Sequence, residues 1–566
     1  MTRESVMRQW LPGVEIARNY ERSWFRKDIT AGIALTALLI PAGMGYAQAA
    51  GLPPETGLYA TIVPLLVYAL VGPSKILVLG PDSSLAPIIG AAVLPLAAGD
   101  SARAVALAGL LAILMGSILV LGGLLKLGFV TDLLSKPIRL GYLNGIALVV
   151  IISQIPKLLG FSVDGVNLID EIGQTVTAVF GGEIDAQAAS IGLGGIAVIV
   201  AFRMFHSRIP GVLVAVIGSI VVAYVFGLAD DIPMAGALPY GLPAPALGGL
   251  QWSDVGELIG PAAGIALVAF ADTGVLSRTF AARRGESVDG SHEMRAIGTA
   301  NVASGLLGGF PMSASSSRTP VAEQNGARTQ LAGVVGAVLI VVFILVAPRV
   351  TAYLPSAALA AVVIVAATSL VDIRSLVDMW SMSRIETWLA IAAFLGVALV
   401  GVLEGILVAI ALSFVSVVVH AWRPYRTELV AVPEVAGYHD IKRYPAGARI
   451  PGLVIVRFDA QLFFANGAIF DDYVRRVVGR APDPVRWVII AAEPITGLDT
   501  TAMDELVELD QYLSGNGIRL VFAEMKDPVK DRLRRLGLGE RFSPGRFYPT
   551  VETAVEAFER LSPNRP

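Results

Sequence analysis

The sequence predicts an α-helical polytopic membrane protein with 14 spans, arranged as two inverted seven-span repeats and followed by a small cytoplasmic α/β domain. Three observations lead to this fold class. Hydrophobic residues make up 55% of the 566 residues and charged residues only 16%, whereas about 25% of residues are charged in soluble domains. Apolar segments recur up to residue 420, and the third segment of each half is short and begins beside a proline.

Charge is unevenly distributed and divides the chain near residue 430. From Val430 to the end, 37 of 137 residues (27%) are charged, against 12% of the residues before it. We therefore expect a cytoplasmic N-terminal segment at 1–28, a transmembrane domain at 29–422 and a cytoplasmic domain at 437–562.

The transmembrane domain contains apolar segments of the kind that form spanning helices, which need about 20 residues. They are 29–48, 57–72, 81–98, 104–125, 139–156, 187–202, 211–228, 256–277, 296–309, 314–326, 330–347, 353–371, 386–402 and 404–420. With the N-terminus inside, 21 lysines and arginines lie on the cytoplasmic side of these segments and three lie outside. Because basic residues of short loops stay in the cytoplasm, we expect both termini there, in a multi-pass protein of the inner or plasma membrane. The charged N-terminal residues do not have the pattern of a cleavable signal peptide.

Composition and motifs exclude several classes of function. The net charge of −3 gives no basic face for nucleic acid. The absence of cysteine removes disulfides, thiolate metal sites and cysteine nucleophiles. The four histidines have no metal-ligand spacing, and the chain has no phosphate-binding loop of an ATP-driven pump. We expect no catalytic residues, no metal and no cofactor, and hence a protein that is not an enzyme.

The third segments of the two halves, 81–98 and 314–326, differ from the others. They begin beside Gly80-Pro81 and Phe310-Pro311 and are rich in serine and small residues. Matching short, proline-interrupted segments in two halves of a membrane protein indicate an inverted repeat with a binding site between half-helices. The alternative is that both are kinked or re-entrant helices without a ligand.

The starts of these two half-helices carry candidate anion donors. Unpaired N–H groups and the helix dipole favour an anion at a helix N-terminus, and serine hydroxyls add donors without bulk. The candidates are Ser83 and Ser84 in the first half, and Ser316 and Ser317 in the second. Asp82 is expected to cap the first half-helix.

Two charged residues lie within predicted spans, where a charge is costly without a partner or a wet cavity. Arg318 could balance a bound anion, or could form an ion pair with Glu323 or another buried carboxylate. Asp272, followed by Thr273, could bind a coupling proton or sodium ion, or could neutralise Arg318.

Several motifs resemble the SulP sulfate-permease family of anion transporters, which includes prestin. These are Pro-Ala-Gly-Met-Gly-Tyr-Ala at 41–47, Gly-Leu-Pro-Pro at 51–54, Gly-Leu-Tyr-Ala at 57–60, Gly-Pro at 80–81, Ser-Arg-Thr at 317–319 and Arg-Thr-Gln-Leu-Ala-Gly at 328–333. The resemblance implies a core of spans 1–4 and 8–11 that moves against a gate of spans 5–7 and 12–14, and a homodimer. It implies an anion site between spans three and ten that includes Tyr46, Ser83, Ser84, Asp272, Ser316, Ser317 and Arg318.

The chain departs from the family pattern at two positions. Ala42 stands where many relatives have glutamine, which removes a polar contact. Leu276 stands where sodium-coupled bicarbonate members have a threonine, four residues after the aspartate. The second departure favours a coupling proton or exchange over sodium.

The C-terminal region alternates short strand-like and helix-like runs, which predicts a small α/β domain. The strands are expected at 453–458, 487–491 and 518–522, and the helices at 468–478, 502–514 and 527–536. The region resembles a STAS domain. The resemblance makes Thr500 and Thr501, in the loop at 497–502, possible regulatory phosphorylation sites; the alternative is that Asp499 and Thr500 only cap a helix.

The sequence therefore predicts a secondary active transporter of a small inorganic anion in the lipid bilayer. Sulfate and bicarbonate are the first substrates to consider, with dicarboxylates next, carried by proton-coupled symport or exchange with an elevator-like or rocking core. Sodium-coupled bicarbonate transport and a passive anion channel are alternatives. A third is a signalling protein whose membrane part only anchors the C-terminal domain, against which Arg318 and Asp272 argue.

Overall fold

A computed structural model describes residues 11–128, 135–163, 168–205, 210–239, 241–242, 244–315, 318–433 and 435–561. The chain forms two compact units, one ending at Ser413 and the other beginning at Phe414. This division lies inside the last helix of the membrane unit, whereas the sequence analysis ended the transmembrane domain at residue 422.

The membrane unit is helical, and each of the 14 segments predicted to span overlaps at least one helix. The helices are α1 Pro12–Arg18, α2 Arg22–Ala49, α3 Pro54–Val71, α4 Ala86–Ala97, α5 Ser101–Leu124, α6 Lys136–Leu159, α7 Leu168–Gly181, α8 Ala186–Met204, α9 Gly211–Phe226, α10 Trp252–Arg283, α11 Gly290–Leu306, α12 Arg318–Gln324, α13 Leu331–Val346, α14 Ser356–Thr368, α15 Ile373–Met382, α16 Arg384–Leu395 and α17 Val402–Trp422. Within the described residues, seven helices are long and apolar enough to cross a membrane.

The two halves repeat the same order of elements. A two-residue strand precedes the third span of each half: β1, Leu79–Gly80, before α4, and β2, Ser313–Ala314, before α12. An additional helix follows the fifth span of each half, α7 in the first and α15 in the second. Because seven spans is an odd number, the second half crosses the membrane in the opposite direction from the first. The order of elements is therefore that of the predicted inverted repeat.

The membrane helices pack in two groups. Helices α2, α3, α5, α10, α11 and α13 contact chiefly one another, and α6, α8, α9, α14 and α16 form the second group. In the first group, α5 and α11 approach through facing glycines. A Cβ atom on Gly116 would lie 2.5 Å from the carbonyl oxygen of Gly298, and one on Gly305 would lie 2.2 Å from that of Gly109. Small residues permit this close contact between membrane helices. The first group contains six of the eight predicted core spans, and the second contains five of the six predicted gate spans.

The C-terminal unit is a mixed sheet with helices. Its strands are β3 Arg426–Val432, β4 Val435–Asp440, β5 Leu453–Phe458, β6 Trp487–Ala491, β7 Arg519–Ala523 and β8 Phe547–Tyr548, and its helices are α18 Gly467–Gly479, α19 Thr500–Gly515, α20 Asp527–Arg535 and α21 Val551–Arg560. The strand order is β4-β3-β5-β6-β7-β8, with β5 to β8 parallel and β3 and β4 antiparallel. The three strands and three helices predicted here are confirmed to within two residues.

Candidate functional site

The starts of the two half-helices face each other through a short antiparallel strand pair. Leu79 pairs with Ala314 and Gly80 with Ser313. Buried threonines hold both strands: the Val78 N–H donates to Oγ1 of Thr319, and the Ala314 N–H donates to Oγ1 of Thr273, each at 3.2 Å. The fold therefore joins residues near 80 and near 315, as the predicted repeat requires.

Arg318 is the first residue of α12, and its side chain is only 1% exposed. Nη2 donates to the carbonyl oxygen of Gly80 at 3.1 Å and lies 3.8 Å from Oδ2 of Asp82. Within the described residues, Nε and Nη1 have no hydrogen-bond partner. A buried guanidinium thus keeps unused donors, and leaving such donors unpaired is costly.

Gly80 allows the guanidinium to come this close to the first half-helix. Its φ is +153°, and a Cβ atom there would lie 2.6 Å from Nη1 of Arg318. A side chain at this position would collide with the cation. The glycine therefore shapes the site.

Asp82 bonds to the turn that precedes α4 and also pairs with Arg318. Its Oδ1 accepts the Ser84 N–H at 3.0 Å and the Ser84 hydroxyl at 2.8 Å, and its Oδ2 faces Arg318. The capping predicted for Asp82 is wrong, because Ser84 lies before the first residue of α4 and the N-cap residue Leu85 receives no side-chain hydrogen bond; the ion pair with Arg318 was not predicted. Glu323, considered there as the partner of Arg318, instead accepts from Nη1 of Arg283 at 3.2 Å.

The other predicted residues of the first half lie at the same place. Tyr46 of α2 and Ser83 are buried, and the Tyr46 hydroxyl lies near Ser83, Asp82 and Arg318. The hydroxyl of Ser84 is already committed to Asp82. Ser316 and Ser317 lie outside the described residues. The second half-helix has only seven residues, so the attraction for an anion there rests on the guanidinium charge.

Asp272 and Thr273 have different surroundings although they are neighbours in α10. Thr273 is fully buried, and its hydroxyl oxygen accepts the Ala314 N–H. Asp272 is half-buried, lies near Asp82 and Arg139, and makes no hydrogen bond or ion pair within the described part of the chain. Thr273 thus supports the strand, and Asp272 is the open acidic group beside the site.

Two polar residues of the membrane unit were not predicted. Tyr142 of α6 is buried, and its hydroxyl has no hydrogen-bond partner among the described residues. Glu293 of α11 is fully buried and accepts hydrogen bonds from the hydroxyls of Tyr68 and Ser74. The apolar segment predicted for this span begins at residue 296. Asp289, whose side chain caps α11, is the signal that could have placed Glu293 inside the helix.

In the C-terminal unit, Asp499 caps α19. Its Oδ1 accepts the Ala502 N–H and its Oδ2 the Phe464 N–H, both at 2.8 Å. Thr500 and Thr501 are exposed on the first turn. Asp499 therefore caps α19, and the hydroxyls of Thr500 and Thr501 remain accessible. No group of three histidine or acidic residues in the described ranges is arranged to hold a metal ion.

The chain is similar to known transporters over nearly its full length. A sequence model of the Sulfate permease family matches residues 25–393, and one of the STAS domain matches residues 444–554. A probable sulfate transporter of Mycobacterium tuberculosis is 40% identical over 97% of this chain and 98% of its own. Probable sulfate transporter 3.4 of Arabidopsis thaliana is 28% identical over 95% of this chain and 85% of its own.

Two solved structures share the fold. Murine Solute Carrier 26 family member A9, an anion transporter in the inward-facing state, is 20% identical, with a TM-score of 0.90 over 99% of this chain and 95% of that chain. The transmembrane domain of a cyanobacterium bicarbonate transporter is 23% identical, with a TM-score of 0.59 over 69% of this chain and 98% of its own. The predicted fold class is confirmed, as is the prediction that the protein is not an enzyme, because the matched family consists of permeases. The chain belongs to the sulfate permease family and carries a STAS domain.

Proposed function

We propose that this protein is a secondary active transporter that carries sulfate across the cell membrane. The observation that carries the proposal is the unused donor capacity of Arg318, a buried guanidinium beside the two half-helix starts. Inside a membrane, such a charge requires compensation, and Asp82 at 3.8 Å provides only part of it. An oxyanion would accept from one of these two unused groups, Nε–H or Nη1–H, which point to different sides of the planar guanidinium and are charge-assisted donors. The relatives named sulfate transporters support sulfate as that anion.

We propose that a proton on Asp272 couples transport to a gradient, in symport or in exchange. Asp272 lies beside the site and has no partner in the described residues, so it can take up and release a proton without breaking a contact. Sodium would need several oxygen ligands. The neighbouring hydroxyl of Thr273 already accepts a backbone N–H, and Leu276 offers no oxygen. These observations favour the proton over sodium.

The remaining features of the proposal concern movement, assembly and location. The separate packing of the two helix groups supports an elevator-like movement of the core against the gate. The excess of basic residues on one side supports cytoplasmic termini in the inner or plasma membrane. We further propose a homodimer and regulation at Thr500 and Thr501, whose exposure would allow a kinase to reach them.

Radiolabelled sulfate uptake into proteoliposomes, with and without an inward proton gradient, tests the proposal. Wild-type protein is expected to accumulate sulfate only with the gradient. Arg318→Ala should raise the half-saturating sulfate concentration about 100-fold, since a hydrogen bond to a charged group contributes about 1.5–3 kcal/mol. Arg283→Ala is the matched control, because Arg283 is 60% exposed on α10.

Each other outcome points to a different function. Uptake of bicarbonate without uptake of sulfate would mean that bicarbonate, and not sulfate, is the substrate. Dependence on sodium would replace the coupling ion. Flux that only dissipates gradients, without accumulation, would indicate a passive anion channel. Unchanged sulfate affinity in Arg318→Ala would remove Arg318 from the site.

A further inference from the structure

Tyr142 presents a buried hydroxyl with nothing to bond to. It lies on α6, in the gate group, and its ring is fully buried. Its hydroxyl has no partner in the part of the chain that the structure describes. A phenylalanine would fill this position without leaving an unpaired donor. We therefore infer that the hydroxyl donates to an acceptor in another conformation of the protein.

Arg139 lies one turn before Tyr142, on the same face of α6. The Arg139 side chain is half-buried and forms no hydrogen bond or ion pair in the described ranges. The gate helix thus offers two unused donor groups, one charged and one neutral, at adjacent positions.

Asp272 lies on α10 of the core group, just after residues that share a buried cluster with Tyr142, among them Ala269 and Phe270. The Tyr142 hydroxyl lies within electrostatic range of Asp272 and Arg139, and Asp272 lies within that range of Asp82 and Arg139. Asp82 is already engaged with Ser84 and Arg318. The partners left for Asp272 are therefore Arg139 and Tyr142.

We propose that Arg139 and Tyr142 compensate the charge of Asp272 when the empty carrier returns across the membrane. This inference rests on the proposed function, in which a proton occupies Asp272 during the loaded step. With proton and anion bound, Asp272 is neutral and needs no partner. After both are released, the carboxylate is ionised, and moving it uncompensated would be costly. The Arg139 guanidinium then pairs with it, and the Tyr142 hydroxyl donates to it.

The proposal separates two modes of transport. In exchange, the site is loaded in both directions, so the pairing with the gate is not used. Net uptake requires the empty return. We expect Tyr142→Phe to lower net proton-driven sulfate uptake about tenfold, while sulfate–sulfate exchange stays within twofold of wild type. Arg139→Gln should do the same, and Arg139→Lys should retain more net uptake than Arg139→Gln.

The experiment measures net uptake and exchange in proteoliposomes for wild type and for each variant. Exchange also reports that a variant is folded and binds sulfate. Tyr224→Phe is the matched control, since Tyr224 lies on α9 with 66% of its surface exposed. Combining Tyr142→Phe with Asp272→Asn tests the link directly: in net uptake down a sulfate gradient, which needs no proton coupling, the double variant should be no slower than Asp272→Asn alone.

The outcomes distinguish this inference from the proposed function. A wild-type protein without gradient-driven sulfate uptake would overturn the proposed function. A wild-type protein with such uptake, and variants in which net uptake and exchange fall equally or not at all, would overturn only the role of Arg139 and Tyr142. Additive losses in the double variant would also overturn it.

Discussion

The two half-helix starts have the same backbone arrangement and opposite chemistry. In the first, Asp82 supplies a negative charge, and its carboxylate is used by Ser84 and Arg318. In the second, Arg318 supplies a positive charge, and two of its nitrogens have no partner in the described residues. The first start carries an acidic side chain whose oxygens already have partners, and the second carries a basic side chain with donors that have none in the described residues. An inverted repeat can therefore supply a symmetric frame while only one half supplies the affinity for an anion.

The frame itself is held in a similar way on both sides. The side-chain amide of Asn301 donates to the Met312 carbonyl and accepts the Met312 N–H, next to β2. On the other side, Nε2 of Gln330 donates to the carbonyls of Ser74 and Leu77, just before β1. A side-chain carboxamide thus fixes the backbone before each strand: Asn301 of α11 before β2, and Gln330, at the start of α13, before β1. The difference between the two halves lies in the side chains at the site, and it can be tested there.

A side chain placed between Gly80 and Arg318 should have the largest effect on sulfate affinity. Gly80→Ala would place a Cβ atom 2.6 Å from Nη1 of Arg318, at a backbone φ of +153° that disfavours side chains. We expect sulfate affinity to fall about 100-fold, because the guanidinium must move and its charge-assisted hydrogen bonds are lost. Equilibrium binding of radiolabelled sulfate measures this. Gly264→Ala is the control, since a Cβ atom there meets nothing within 4 Å; an equal loss in both variants would contradict the argument.

The paired threonines test whether the two halves of the frame are equally important. Thr273→Val and Thr319→Val keep the shape of the side chain and leave the N–H of Ala314 or Val78 buried without an acceptor. An unpaired buried donor costs about 1–3 kcal/mol, so we expect each variant to lose about 2 kcal/mol of unfolding free energy. Unfolding by SDS in mixed micelles measures it.

The control for the threonine pair is Thr279→Val. The Thr279 hydroxyl donates to the Val275 carbonyl within its own helix and is exposed, so a change below about 0.5 kcal/mol is expected. A large loss in only one member of the pair would show that the two halves of the frame are not equivalent.

Most of the helical fold could be predicted from the sequence because the length of an apolar run decides whether it can span a membrane. All 14 predicted segments overlap helices. The helices α7 and α15 were not predicted, because they are short and carry polar residues on one face, so neither meets the criterion for a span. The first turn of α11 was missed because its residues are polar, although Asp289 caps it.

The site could be predicted only in part. Arg318 and Asp272 stand out because a charge within an apolar run is rare. Their partners are a matter of tertiary structure: the β1–β2 pair brings Asp82 to Arg318, and the sequence gives no reason to prefer it over Glu323. Tyr142 carries no sequence signal, since only the three-dimensional structure shows that its hydroxyl lacks a partner.

Removing the charge of Asp82 should raise sulfate affinity, whereas Gly80→Ala should lower it. Asp82→Asn keeps the acceptor for the Ser84 N–H and removes the charge that competes with an anion for Arg318. We expect sulfate affinity to rise about tenfold, since relief of about 1.4 kcal/mol is reasonable for partly screened charges at this distance. Asp100→Asn is the control, because the Asp100 carboxylate also accepts backbone N–H groups, at the exposed start of α5. Weaker binding by Asp82→Asn would mean that Asp82 holds Arg318 in place and that the acidic start is required for affinity.

The smallest expected effect is on the stability of one helix start in the C-terminal unit, where Asp499 accepts only backbone N–H groups among the described residues. Asp499→Ala removes the acceptor of the Ala502 and Phe464 N–H groups. Loss of a cap typically costs about 1 kcal/mol, so amide hydrogen exchange in the first turn of α19 should accelerate about fivefold in the full-length protein. Thr500→Ala should leave that exchange within about twofold, because the cap hydrogen bond is accepted by Asp499 and surface substitutions usually change stability by less than about 0.5 kcal/mol. Sulfate affinity should be unchanged in both variants. If Thr500→Ala accelerates exchange as much as Asp499→Ala, the threonine belongs to the cap, and its modification would loosen the helix rather than mark an accessible surface.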